Sequence, residues 1–287
     1  AGFPPGVLNV VHGYGPDSAG SALTANPDVD RITFTGESGT GKIIAAAASR
    51  HLIPVSLELG GKGANIVFDD ADLDNAVYWA IESIFRNAGQ VCLAGSRLYV
   101  QSGIYDEFVR RYQAAAEAMV VGDPKDPSTQ FSAALASEEH FTKVQSYLDP
   151  AALGGGRIIT GGVGEGWSVQ PTIVVDAPSD AEVVREEVFG PVVVATKFET
   201  EEEALALANA TRYGLNAMVF TENLSRAHRL SAELRAGTVW VNCFFIRDLR
   251  APFGGVGESG LGREGGTFSR EFFTEPKAVV MQIDPAR

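Results

Sequence analysis

The chain has 287 residues, enough for a sizeable core and about two domains by length. Hydrophobic residues make up 45% and charged residues 21%, which excludes wholesale disorder. The formal net charge of −13, from 23 basic and 36 acidic residues, weighs against nucleic acid or a membrane surface as partner.

In chain order, Val7–Val11 is a β-branched run with strand character and Ser18–Ala25 is short and helix-compatible. Arg31–Phe34 reads as a buried strand and Gly41–His51, rich in alanine, as a helix. Pro54–Leu57 and Ala64–Phe68 read as strands, and Leu73–Arg86 as a helix opened by Asp72 or Asp74 in capping position. The pattern resumes with a helix over Ile104–Met119, a strand over Val192–Phe198 and a helix over Thr200–Ala208. A strand at Ala217–Phe220, a helix at Leu224–Leu234 and a strand at Thr238–Asn242 complete it. Such alternation predicts an α/β fold with a mainly parallel sheet covered by helices. The glycine-rich stretch Ala151–Trp167 is expected to be a surface excursion. The tail Ala278–Ile283 is expected to be a strand that docks on a neighbour.

Five segments have residue types suited to chemistry. Phe34-Thr35-Gly36-Glu37-Ser38-Gly39-Thr40-Gly41-Lys42 lies between a strand and a helix, where free N–H groups favour an anion. It is also part of a P-loop pattern, but Ile43 replaces the Ser or Thr that would hold Mg²⁺. A nucleotide hydrolase, with Ile66–Asp70 as acidic partner strand, is therefore a minor rival. Glu58, at a strand end before Gly60-Gly61-Lys62, is a candidate general base or simply a solvated carboxylate. Cys92, in Asn87-Ala88-Gly89-Gln90-Val91-Cys92, is a candidate nucleophile or a small buried hydrophobe. Glu186-Glu187-Val188-Phe189-Gly190-Pro191 could place a carboxylate on a ribose hydroxyl and an aromatic beside a ring, or end a charged helix. Arg247 and Arg250 lie in an aromatic loop before Phe253-Gly254-Gly255, suited to a carboxylate or to structural pairing with Asp248 or Glu258.

Cys92 and Cys243 alone make no disulfide framework, so a reducing, cytoplasmic setting is expected, and no basic and apolar leader opens the chain. No apolar run approaches the roughly 20 residues of a membrane span. His12, His51, His140 and His228 have no metal-ligand spacing and read as structural or surface residues, so no metal is expected.

Taken in order, the five segments resemble the NAD(P)-dependent aldehyde dehydrogenase superfamily, and Glu58 and Cys92 stand 34 residues apart as that family's base and nucleophile do. The loop Asn242–Gly255 with Thr-Gly-Glu-Ser at the first turn looks most like the 2-hydroxymuconic and 2-aminomuconic semialdehyde branch. The resemblance implies Cys92 as nucleophile, Glu58 as general base, and Gly36, Gly41, Glu187 and Phe189 around NAD, with NADP left open by Glu37. It implies Arg247, with Arg250 and Phe253, around a carboxylate-bearing aldehyde. The opening Ala-Gly-Phe-Pro-Pro-Gly matches a point inside the family's cofactor domain. The expectation is a fragment, inactive or weakly active alone, of an enzyme that is a homodimer or homotetramer at full length. Residues 1–57 would be the second part of the cofactor domain, 58–260 the catalytic domain and 261–287 a segment with the oligomerisation strand. A non-catalytic member of the same fold is the alternative.

Overall fold

The structure, a computed structural model, describes residues 2–283. Its elements are α1 (Ala19–Thr24), β1 (Ile32–Thr35), α2 (Ser38–Ser49), β2 (Val55–Glu58), β3 (Ala64–Val67), α3 (Leu73–Phe85) and β4 (Arg97–Gln101). Next come α4 (Tyr105–Glu117), α5 (Glu138–Ser146), α6 (Pro150–Leu153), β5 (Arg157–Val163), β6 (Val169–Val175), α7 (Glu182–Arg185) and β7 (Val192–Phe198). The last are α8 (Glu201–Asn209), β8 (Asn216–Phe220), α9 (Leu224–Glu233), β9 (Thr238–Val241), β10 (Gly260–Leu261) and α10 (Gly266–Phe272).

Two sheets result. The larger has strand order β5-β6-β7-β4-β3-β8-β9 and is parallel except for β5 against β6. Its inner strand β3, Ala-Asn-Ile-Val, is buried throughout, as a strand covered on both faces must be. Against it α3 buries Ala76, Ala80 and Ile84 at helical spacing, and the Asp72 carboxylate caps it by accepting from the Asp74 and Asn75 N–H groups. Side chains such as Ile66, Leu98 and Phe85 are at most 1% exposed, and each contributes about 1.5–3 kcal/mol by leaving water.

The smaller sheet has order β1-β2-β10. Strands β1 and β2 are parallel, with Thr35 opposite Glu58. Strand β10 returns antiparallel and sets Gly260 opposite Glu58 from the other side. Three hydrogen bonds at Ser259, just before this third strand, fix the join. The buried Ser259 Oγ donates to Gly60 O at 2.6 Å and accepts from Gly214 N at 2.9 Å, while Leu59 N donates to Ser259 O.

The structure differs from the sequence reading in two places. Val7–Val11 forms no strand, and its Val and Leu side chains are exposed, because no described strand offers a ladder partner. Ala151–Trp167 is more regular than its composition suggests. It holds α6 and the edge strand β5, whose register slips where Gly161 and Gly162 take φ of 82° and 100°. A Cβ at Gly161 would lie 2.2 Å from Pro171 O, so glycine there serves close strand approach. Ala278–Ile283 lies outside both sheets, with Val280 94% exposed.

Candidate active site

Strand β2 delivers Glu58 to the end of the smaller sheet. It is 4% exposed, and neither carboxyl oxygen has a hydrogen-bond partner among the described residues. Burial, then the Glu264 charge, raises its pKa to about 8, with Arg263 opposing. Gly254 closes over it; a Cβ there would sit 2.7 Å from Glu58 Oε1.

Cys92 arrives by a different route. After α3 the chain turns through Asn87 (φ 52°), Ala88 (φ 53°) and Gly89 (φ 67°), three successive left-handed residues. The two non-glycine residues cost about 1–2 kcal/mol each relative to ordinary backbone. The turn carries Gln90, Val91 and Cys92 into a cavity of about 510 Å³. Burial raises the Cys92 thiol to about 11, with the Glu187 and Glu58 charges adding. Hydrogen bonds from the Cys92 and Leu93 N–H groups to the sulfur oppose this.

Glu58, Cys92, Gly36, Glu187 and Phe189 all line this one cavity. Glu187 is folded against the Gly60-Gly61 backbone, with Oε1 accepting from Gly61 N at 2.9 Å. A Cβ at Gly60 would lie 2.1 Å from its other oxygen, so only glycine leaves room. Burial raises the Glu187 pKa, while the Gly61 N–H and Lys62 hold it down. Gly36 donates its N–H to Glu58 O at 3.0 Å and fixes the rim beside the α2 N-terminus.

Not every expected residue is there. Gly41 is absent from the cavity lining and packs on Leu59, where a Cβ would meet Cδ2 at 2.5 Å. Arg247, Phe253 and Glu264 line a second hollow of about 350 Å³. Arg247 lies over Phe245 and Phe253, 5.2 and 5.3 Å from the ring centroids, and makes no ion pair among the described residues. Arg250 points to solvent and pairs with Asp248 at 2.5 Å. The two hollows adjoin along the chain, since Phe253 lines one and Gly254 covers Glu58 in the other.

Sequence reasoning missed two groups. His140 and Lys143, three apart on α5, line the Cys92 cavity, where His140 Nε2 lies 2.8 Å from Phe189 O and Lys143 lies 3.6 Å from Glu37. Their i, i+3 spacing was visible, but nothing in the sequence says which face of α5 meets the cleft. Lys62 is 2% exposed with Nζ donating to Val183 O at 2.8 Å, and burial, then Arg97, lowers its pKa to about 7. The supposed acidic strand of a nucleotide hydrolase lies in the other sheet. Its Asp70 is taken up by Thr221 and Arg226.

This arrangement defines a thiol and a buried carboxyl sharing one cleft at the edge of two α/β sheets. The aldehyde dehydrogenase family model matches residues 1–279, and the chain belongs to that family. It is 52% identical over 292 residues to the 2-hydroxymuconic semialdehyde dehydrogenase of Pseudomonas sp. strain CF600, covering 99% of this chain and 60% of that protein. It is 46% identical to the 2-aminomuconic 6-semialdehyde dehydrogenase of Pseudomonas sp., covering 99% and 59%. Among solved structures, that of PnpE in complex with nicotinamide adenine dinucleotide has a TM-score of 0.95 at 44% identity, covering 100% of this chain and 60% of that one. The chain therefore spans about 60% of the length of the relatives it matches.

Proposed function

We propose that the chain carries the catalytic machinery of an NAD-dependent aldehyde dehydrogenase acting on a carboxylate-bearing, muconic-type semialdehyde. The observation that carries this is the shared cavity of Cys92, Glu58, Glu187 and Phe189. The Cys92 sulfur adds to the aldehyde carbon and gives a thiohemiacetal whose oxyanion is held partly by the Cys92 N–H. The dinucleotide, when bound, supplies the hydride acceptor. Loss of hydride leaves a thioester on Cys92, and water, giving its proton to Glu58, hydrolyses it to the acid and returns the thiol. With Glu58 at about 8, its basic form grows as pH rises toward that value, so hydrolysis accelerates over the same range.

The residues fit the nicotinamide end of such a cofactor. Glu187 offers a carboxylate acceptor for a ribose hydroxyl, and the Phe189 ring, 38% exposed, offers a flat face. Gly36 supports the rim; Gly41 serves packing of α2 instead. NADP is the second choice, Glu37 at the N-cap of α2 being unfavourable to a phosphate close by. Arg247, free of an ion-pair partner among the described residues, is the better choice for the substrate carboxylate than Arg250, and Phe253 shapes the wall between. We divide the chain into a cofactor part to residue 57, a catalytic part over 58–260 and a C-terminal part over 261–287. The exposed Val280, Met281 and Ile283 support a homo-oligomer at full length, and two free cysteines suit a cytoplasmic setting.

The test is alkylation by iodoacetamide at pH 9, read separately at Cys92 and Cys243. A muconic-type semialdehyde should protect Cys92 and leave Cys243 unchanged. Equal modification of both, with and without aldehyde, refutes the assignment and favours a non-catalytic member of the fold.

A further inference from the structure

The left-handed turn before Cys92 and the turn that carries Phe189 stand back to back. Gly89 touches the carbonyl of Gly190 so closely that a Cβ at Gly89 would lie 2.1 Å from that oxygen. Gly190 is itself wedged on the other side, where a Cβ would meet Val144 Cγ1 at 2.9 Å. Phe189 is left-handed too, at φ 55°, and its carbonyl is held by His140 Nε2 at 2.8 Å.

The turn before Cys92 is fixed at both ends as well. Ala88 is 4% exposed and packs in the main core. Asn87 Nδ2 donates to Gln90 O at 3.1 Å, and Gln90 Oε1 accepts from Ala136 N at 3.0 Å. Non-glycine residues held in left-handed conformation persist only where their surroundings over-determine them, and such outliers cluster where geometry is part of a mechanism. Glycine would be the default at Ala88 if the chain only needed to turn.

We infer that Asn87 and Ala88 are positioning residues: braced by Gly89 on Gly190, their left-handed turn fixes the Cys92 sulfur relative to the Phe189 ring. This rests on the assignment of Cys92 as nucleophile. The reasoning is one of distance. The sulfur and the Phe189 ring arrive on separate segments, the turn after α3 and the loop before β7, and the Gly89–Gly190 contact is where those segments meet in bare backbone. An error of about 1 Å between reacting groups can cost on the order of a hundredfold in rate. A rigid turn removes that error at the price of conformational freedom. It also keeps the sulfur in its desolvated seat, since the residues that would let the loop open are held in place.

The experiment uses the 287-residue chain and the variants Ala88→Gly and Asn87→Gly. Iodoacetamide modification is followed from pH 6 to 10, with Cys92 and Cys243 read separately by peptide mass spectrometry. Glycine relieves the backbone strain but takes the Ala88 methyl out of the core or the Asn87 amide off Gln90 O, so the loop loses a brace and should open and admit water to Cys92. The expected result is a Cys92 rate at pH 8 raised about fivefold or more in Ala88→Gly, with the half-rate pH moved down and Cys243 unchanged. Asn87→Gly should move the same profile in the same direction. It alters an exposed side chain, so it reports even if Ala88→Gly does not fold. A changed melting temperature with an unchanged Cys92 profile in both variants would mean the turn is merely structural and overturns the inference. Failure of the underlying assignment looks different: aldehyde then gives Cys92 no protection in the unsubstituted chain, and both readings fall together.

Discussion

Replacing Glu58 by Gln keeps the side chain's size and removes its ionisation. The folded carboxyl holds its proton up to about 8, because burial disfavours the anion and Glu264 repels it. The unfolded carboxyl loses its proton near 4.5. Between those values unfolding releases a proton, so rising pH favours the unfolded state and Glu58 lowers stability progressively across that window. Fully expressed, the difference corresponds to about 5 kcal/mol. The cavity is open to water, which screens part of it, so about 2–4 kcal/mol is expected between pH 5 and pH 9. The amide's own desolvation is the same at every pH and cancels in the slope. Urea unfolding of parent and variant at pH 5, 7 and 9 measures this directly. The stability advantage of Glu58→Gln should widen with pH and level off above about 8. Parallel curves would show that the carboxyl ionises freely in the folded protein and would refute the burial argument.

Three further outcomes follow from the same geometry. Arg247→Ala should raise KM for a carboxylated semialdehyde about 10- to 150-fold more than for a neutral aldehyde of similar size, the equivalent of one hydrogen-bonded charge pair. Equal losses on both, in steady-state assays of the full-length form, would remove Arg247 from the substrate site. Ser259→Ala should cost about 1–3 kcal/mol in urea unfolding, since it strands the buried Gly60 carbonyl and Gly214 N–H. Lys62→Met should gain most near pH 7 and least near pH 10. The folded lysine gives up its proton near 7 and the unfolded one near 10.5, so parent stability rises with pH between them. A gain that does not vary with pH would mean that Lys62 is not desolvated.

Much of the fold was legible because hydrophobic period and capping residues agree with it. The helix after Asp72 and the strand at Val192–Phe198 stand where the sequence reading set them. The failures share a cause. Val7–Val11 has strand composition, but a strand also needs a partner, and composition cannot report one. Glycines 161 and 162 read as loop signals, yet they serve a bulged edge. At the site, Cys92 and Glu58 stood out by residue type and neighbours. That Gly41 packs on Leu59, that His140 meets Phe189 and that Lys62 is buried were not readable, because each depends on a contact between separate segments of the chain.

The return of β10 to the smaller sheet has a consequence for synthesis. Ser259 Oγ bonds a carbonyl 199 positions earlier in the chain. At about 5–20 residues per second, a ribosome takes roughly 10–40 s to bridge that interval. Through it, β1, α2 and β2 wait with one edge uncapped, and the carboxyl at the end of β2 faces water. The nascent protein thus acquires its sequestered acid last, only after the larger sheet has already been made.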